Sequence, residues 1–210
     1  VGADMLVVTH PEFAGALDPL IDLRESQGLS VAVADVLGIY DAYGDGRMDP
    51  EAVRGFVAHA YGSWDPRPSY LLLVGDGSYD PRQYKGDSPE TYIPPYLADV
   101  DPWAGETAAD NRYACVDGDD VLPDLLVGRF PVKTLGEAQA VVTKTVIYET
   151  NPDGRLWGGD VVLTADDPDW GGDFPAMAES AAAEWTAQDV RVRRHYCTAG
   201  SDFGSDCPAP

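Results

Sequence analysis

Tyr70-Leu71-Leu72-Leu73-Val74, followed by Gly75-Asp76-Gly77, decides how this chain folds. The run is continuously apolar and strand-sized. A strand with one wet face would alternate apolar and polar residues, whereas a strand covered on both faces of a parallel sheet need not. The glycines that follow mark its end. Open parallel sheets bind ligands beyond the C-terminal ends of their strands, so the residues after Val74 are where chemistry is expected.

Working outward, the same grammar repeats. Upstream, Met5 to Val8 reads as a first strand bounded by His10-Pro11. Phe13, Leu17, Leu20, Ile21 and Leu23 recur near helical period, and Gly28 stops that helix. Val31 to Val36 reads as a second strand. Asp49-Pro50 starts a helix with a capping acid and a proline, and Val53, Phe56, Val57, Ala60, Tyr61 and Trp64 form its apolar stripe. Downstream, Leu125 to Gly128 is a fourth strand, and Thr134 with Glu137 forms a capping box for a helix reaching about Tyr148. Asp160 to Thr164, Asp173 to Trp185 and Val190 to Tyr196 read as strand, helix and strand. Strands alternating with helices imply βαβ units. The expected class is α/β: a doubly wound parallel sheet in three αβα layers, with residues 1–150 as one subdomain and 151–210 as an incomplete second one. Asn151 to Gly159, rich in turn residues, is the candidate boundary.

The composition excludes several functions. Hydrophobic residues make up 44% of the 210, enough for a core. The net charge is −22, and nucleic acid is excluded as a partner because binding it requires a basic face. No apolar run approaches the roughly 20 residues of a membrane-spanning helix. The first residue is Val1, with neither Met nor a signal peptide, so the chain reads as part of something longer. Cys115, Cys197 and Cys207 are an odd count; a Cys197–Cys207 disulfide and three free thiols both remain open.

Gly75 to Asp124 reads as a long irregular stretch with twelve acids and three bases. Calcium takes six to eight oxygen ligands from flexible loops, so Asp76, Asp80, Asp99, Asp101 and Asp110 are calcium candidates. The alternative is a solvated loop that uses Asp for local turns. No complete nucleophilic site is visible. His59 falls within a helix near its apolar stripe, where packing is expected. His10 precedes a proline without an obvious partner, and His195 lies in the last strand. Cys115 sits among carboxylates that would raise its pKa and blunt it as a nucleophile.

Tyr70-Leu-Leu-Leu-Val-Gly-Asp76 resembles the Y-V-L-L-V-G-D segment of gingipain-type cysteine peptidases. Met5-Leu-Val-Val-Thr9 and Arg24-Glu-Ser-Gln-Gly-Leu29 resemble that family's first strand and helix end. Asp110-Asn111-Arg112-Tyr113, Leu126-Val-Gly-Arg-Phe130, Thr145 to Asn151 and Trp157 follow in the family's order. The resemblance implies a caspase-like fold of two subdomains, secretion or surface attachment, structural calcium and a polypeptide substrate cut by a His/Cys dyad. No His-Gly motif occurs here, so the dyad is expected beyond Pro210, and the remainder of the catalytic domain becomes a partner of this chain. Ala114-Cys-Val-Asp-Gly-Asp119 resembles the family's nucleophile segment but lies too early in the order. Asp173 matches an acid that forms the base of the S1 pocket in arginine-specific members; preceding Phe174-Pro175, it is also a natural helix cap, and the two roles are not exclusive. Two other readings are a non-catalytic calcium-dependent module of a secreted or cell-surface protein, and a flavodoxin- or receiver-like domain holding Mg²⁺ at Asp76.

Overall fold

The structure is a computed structural model describing residues 2–103, 105–151, 159–188 and 190–196. The chain divides into two compact units, Val1–Ile147 and Tyr148–Pro210.

In the first unit, β1 (Met5–Thr9), β2 (Val31–Asp35), β3 (Tyr70–Val74) and β6 (Leu126–Phe130) form one sheet in the order β2-β1-β3-β6. All three pairings are parallel. Alternation along β1 and β3 then sorts the side chains onto two faces. Leu6, Val8, Leu71 and Leu73 face α3 (Val36–Tyr43) and α4 (Pro50–Ser63), meeting Ile39, Tyr40, Val53 and Val57. Met5, Val7, Leu72 and Val74 face the opposite layer, where α1 (Pro11–Ala14), α2 (Asp18–Ser26) and α5 (Leu135–Thr150) supply Phe13, Leu20, Ala138 and Val142. Both sheet faces are covered, which explains the unbroken apolar run of β3. Each fully buried Leu, Val or Phe contributes about 1.5–3 kcal/mol.

Local chemistry sets the boundaries. The helix expected from Phe13 onward is two helices. Pro19 lacks an N–H, and its ring would meet the carbonyl of Gly15 in a continuous helix, so a second helix starts at Asp18. The second strand ends one residue early because the Asp35 carboxylate accepts the Leu37 N–H (2.8 Å) and starts α3. Asp49 caps α4 as expected, accepting from Glu51 N (2.9 Å). At α5, Thr134 Oγ1 accepts from Glu137 N (3.2 Å), while the Glu137 carboxylate reaches Lys133 N (2.7 Å), one residue beyond the ordinary capping box.

The stretch from Gly75 to Asp124 is not wholly irregular. It contains an antiparallel hairpin, β4 (Leu97–Asp101) and β5 (Gly105–Ala108), and a 3₁₀ turn at Asp110–Ala114. In the second unit, β7 (Asp160–Ala165) and β8 (Arg191–Tyr196) pair in parallel around the crossover helix α6 (Phe174–Thr186). Asp160 binds both Arg191 Nε and Arg193 Nε at 2.9 Å, joining the two strands by charge. Cys197, Cys207 and Trp157 lie outside the described residues, as does most of the Asn151–Gly159 linker.

Candidate active-site region

The loops at the C-terminal edge of the first sheet are held by a partly buried arginine. Arg129 of β6 grips Asp110 through Nε (2.6 Å) and Nη2 (2.9 Å), a bidentate pair. Its Nη1 also donates to the carbonyls of Gly75 (2.7 Å) and Ile93 (2.9 Å). The Arg129 side chain is 13% exposed, so little solvent competes for these bonds. One guanidinium therefore joins the end of β3, the loop behind it and the 3₁₀ turn.

Close approach demands glycine after β3. Gly75 has φ +144°, and a Cβ there would lie 2.8 Å from Tyr92 Cβ. A Cβ on Gly77 would lie 2.5 Å from the Ile93 carbonyl. The main chain of Asp76 donates to Val132 O (2.9 Å) and accepts from Tyr92 N and Ile93 N (2.9 and 3.2 Å). Its carboxylate meets Lys133 Nζ at 3.2 Å.

Four of the five calcium candidates have local side-chain partners. Asp110 belongs to Arg129 and Asp76 to Lys133. Asp80 accepts from Lys85 N (2.7 Å), Ser88 Oγ (2.8 Å) and Tyr84 N (3.0 Å), and these bonds, led by Lys85 N, hold its pKa below the usual carboxylate value. Asp101 accepts from Trp103 N (2.8 Å) in the hairpin turn, and Asp99 lies opposite Glu106 in the strand register of the hairpin. Among the described residues, no three His, Cys, Asp or Glu side chains are grouped to hold a metal.

Cys115 is buried. Its thiol donates to the Asn111 carbonyl (3.2 Å), and its own carbonyl accepts Arg54 Nε (3.0 Å). Burial is the first cause of its raised pKa; Asp124 and Asp120 add to the rise, while Arg112 and Arg54 oppose it. Burial and a raised pKa favour a packing role for this thiol over nucleophilic attack. His10 does have partners: Nδ1 accepts from Glu12 N (3.4 Å), capping α1, and its ring meets Tyr92 edge-on at 5.1 Å. His59 is exposed on α4, not packed in the core as its place near the stripe suggested; its ring lies 6.3 Å from Tyr43. His195 lies on β8.

In the second unit, Asp173 caps α6, its Oδ1 accepting from Ala176 N at 3.0 Å. Its side chain stands at the end of the loop that leaves the C-terminal end of β7, where a parallel sheet presents functional groups.

The family model of peptidase family C25 matches residues 1–206. The chain belongs to peptidase family C25. Solved C25-like structures share its fold. The arginine-specific cysteine proteinase gingipain R superposes with a TM-score of 0.67 at 20% identity, over 94% of this chain and 42% of that one. The complex of the RgpB pro- and mature domains from Porphyromonas gingivalis gives 0.67 at 20% identity, over 93% and 42%. Dimeric latent PorU from the same organism gives 0.61 at 24%, over 74% and 16%. These likenesses show the caspase-like α/β arrangement, and the C25 chain spans less than half the length of each of these structures. No curated protein sequence matches the chain significantly.

Proposed function

We propose that this chain is the N-terminal portion of the catalytic domain of a secreted or cell-surface cysteine endopeptidase. Its dyad lies on sequence outside these 210 residues. The observation that carries the reading is the C25 match across residues 1–206, in a chain whose Cys115 is buried and hydrogen-bonded. In the reaction, a thiolate attacks the peptide carbonyl carbon and the C–N bond breaks. The histidine gives its proton to the departing amine, and water then hydrolyses the thioester. This chain contributes the parallel-sheet scaffold and Asp173, an exposed carboxylate suited to a basic side chain of the polypeptide. The remaining part of the catalytic domain is its partner. Hydrolysis of peptide amides by the protein extended past Pro210 tests the reading. Thiol-sensitive turnover, absent from the 210-residue chain alone, is expected; an extended protein without peptidase activity would contradict it.

Structural calcium belongs to the same proposal on residue type alone, from the twelve acids against three bases between Gly75 and Asp124. That imbalance also favours a second reading, a non-catalytic calcium-dependent module. Melting with calcium and with chelator checks the ion, since a ligand of the native state raises Tm. A rise of several degrees supports it; coincident melts remove it from the account.

A further inference from the structure

We propose that the chain pairs with a second copy of itself through the free edge of β6, the two strands running antiparallel about a twofold axis at Gly128. This pairing does not depend on the peptidase reading.

β6 is an end strand of its sheet and bonds only to β3. In a parallel pair, alternate residues of a strand bond to a given neighbour. Leu126 N donates to Ser69 O (2.9 Å) and Phe130 O accepts from Gly75 N (3.0 Å), so Leu126, Gly128 and Phe130 turn their main chain toward β3. The N–H and C=O groups of Val127 and Arg129 point the other way and meet no main-chain partner among the described residues. Such an edge is a template for another strand unless charge, proline or a bulge blunts it. β6 carries neither a proline nor a bulge. Its one charged side chain, Arg129, is turned onto Asp110. Leu126 stands 69% exposed at its start.

The order of residues selects the occupant. Val127 and Arg129 lie symmetrically about Gly128. In an antiparallel copy centred there, Val127 lies opposite the partner's Arg129, and Arg129 opposite the partner's Val127. Each such pair exchanges both of its N–H···O bonds, so every open group is satisfied. Between the pairs, Gly128 meets its own counterpart where the strands come closest, at about 4.5 Å between Cα atoms. A Cβ on Gly128 would have nothing within 4 Å in its own chain, so the fold itself does not require glycine there. Glycine inside a strand marks the close approach of another backbone. The same register sets Leu126 against the partner's Phe130, an apolar cross-strand pair. Beyond the strand, Glu137, Ala140, Val141 and Lys144 of α5 border an open groove of about 400 Å³. The twofold that reverses β6 also reverses α5, and so directs Glu137 toward the partner's Lys144. Strand, glycine and charges are thus complementary to their own copy.

The test is the oligomeric state of the 210-residue chain by sedimentation. The wild type is expected to approach twice its 22.5 kDa as concentration rises. Salt should strengthen the dimer, because the net charge of −22 on each copy opposes it. Val127→Pro removes a bridging N–H where an edge strand tolerates proline, and Gly128→Asp places like charges opposite each other. Each should weaken association by about tenfold or more. Lys144→Glu should weaken it less. Gly128→Cys gives a positive readout on folded protein: mild oxidation should join two copies through the introduced thiols, mapped by mass spectrometry. A wild type that stays monomeric at about 0.2 mM overturns the proposal. So does a dimer that neither Val127→Pro nor Gly128→Asp weakens and that Gly128→Cys does not link.

Discussion

At the residue scale, two buried tyrosines separate a satisfied hydroxyl from an unsatisfied one. Tyr113 OH donates to Pro94 O at 2.5 Å, whereas the Tyr40 hydroxyl has no hydrogen-bond partner among the described residues. A buried polar group without a partner costs stability, and a paired one contributes about 1 kcal/mol. Tyr40→Phe should therefore leave stability unchanged or raise it, and Tyr113→Phe should lower it by about 1 kcal/mol, read from chemical denaturation. Burial pushes both phenols well above their ordinary pKa. A raised folded pKa means that stability is intact below about pH 10, the unfolded phenol value. It is lost as pH rises toward the folded value. The phenolate absorbance of these two side chains should thus appear only with unfolding. Arg129 is the costlier position. Its loss strands the Asp110 carboxylate and two carbonyls, so Arg129→Ala should destabilise by about 3 kcal/mol, and Lys, lacking the planar fork, should rescue little. The sequence did not reveal this role, because the partners are 19 to 54 positions away.

At the element scale, short-range rules were enough wherever a cap or a breaker was decisive. Asp49-Pro50, Thr134 with Glu137, and the apolar run of β3 read correctly because each is specified within about four residues. The reading failed where two signals competed. Val36, Ile39 and Tyr40 carry helical spacing, but the preceding apolar strand absorbed Val36. The hairpin β4–β5 was missed because its strands are short and largely solvated, leaving little hydrophobic pattern to read. Asp173 is where an element and a site coincide. Asparagine caps helices about as well as aspartate, and alanine costs about 1 kcal/mol. Asp173→Asn should keep the melting temperature while reducing the preference for basic substrates; Asp173→Ala should lower both. Equal hydrolysis of basic and neutral peptides by wild type and Asp173→Asn would reduce Asp173 to a cap.

At the scale of the whole molecule, the parallel α/β class was legible because sheet and helices alternate along the entire chain. The calcium reading was made from acid content alone. Placement adds that Asp76 and Asp110 pair with Lys133 and Arg129, which composition cannot express. The same holds for Cys115, whose sequence surroundings resemble a nucleophile segment while its position is a packed interior. The most direct measurement is therefore to alkylate the active, extended peptidase with a substrate-like thiol reagent and map the modified cysteine by mass spectrometry. The account predicts complete inactivation with a single label on a cysteine outside residues 1–210, and full activity retained in Cys115→Ala. Label on Cys115, with activity abolished by that substitution, would contradict it.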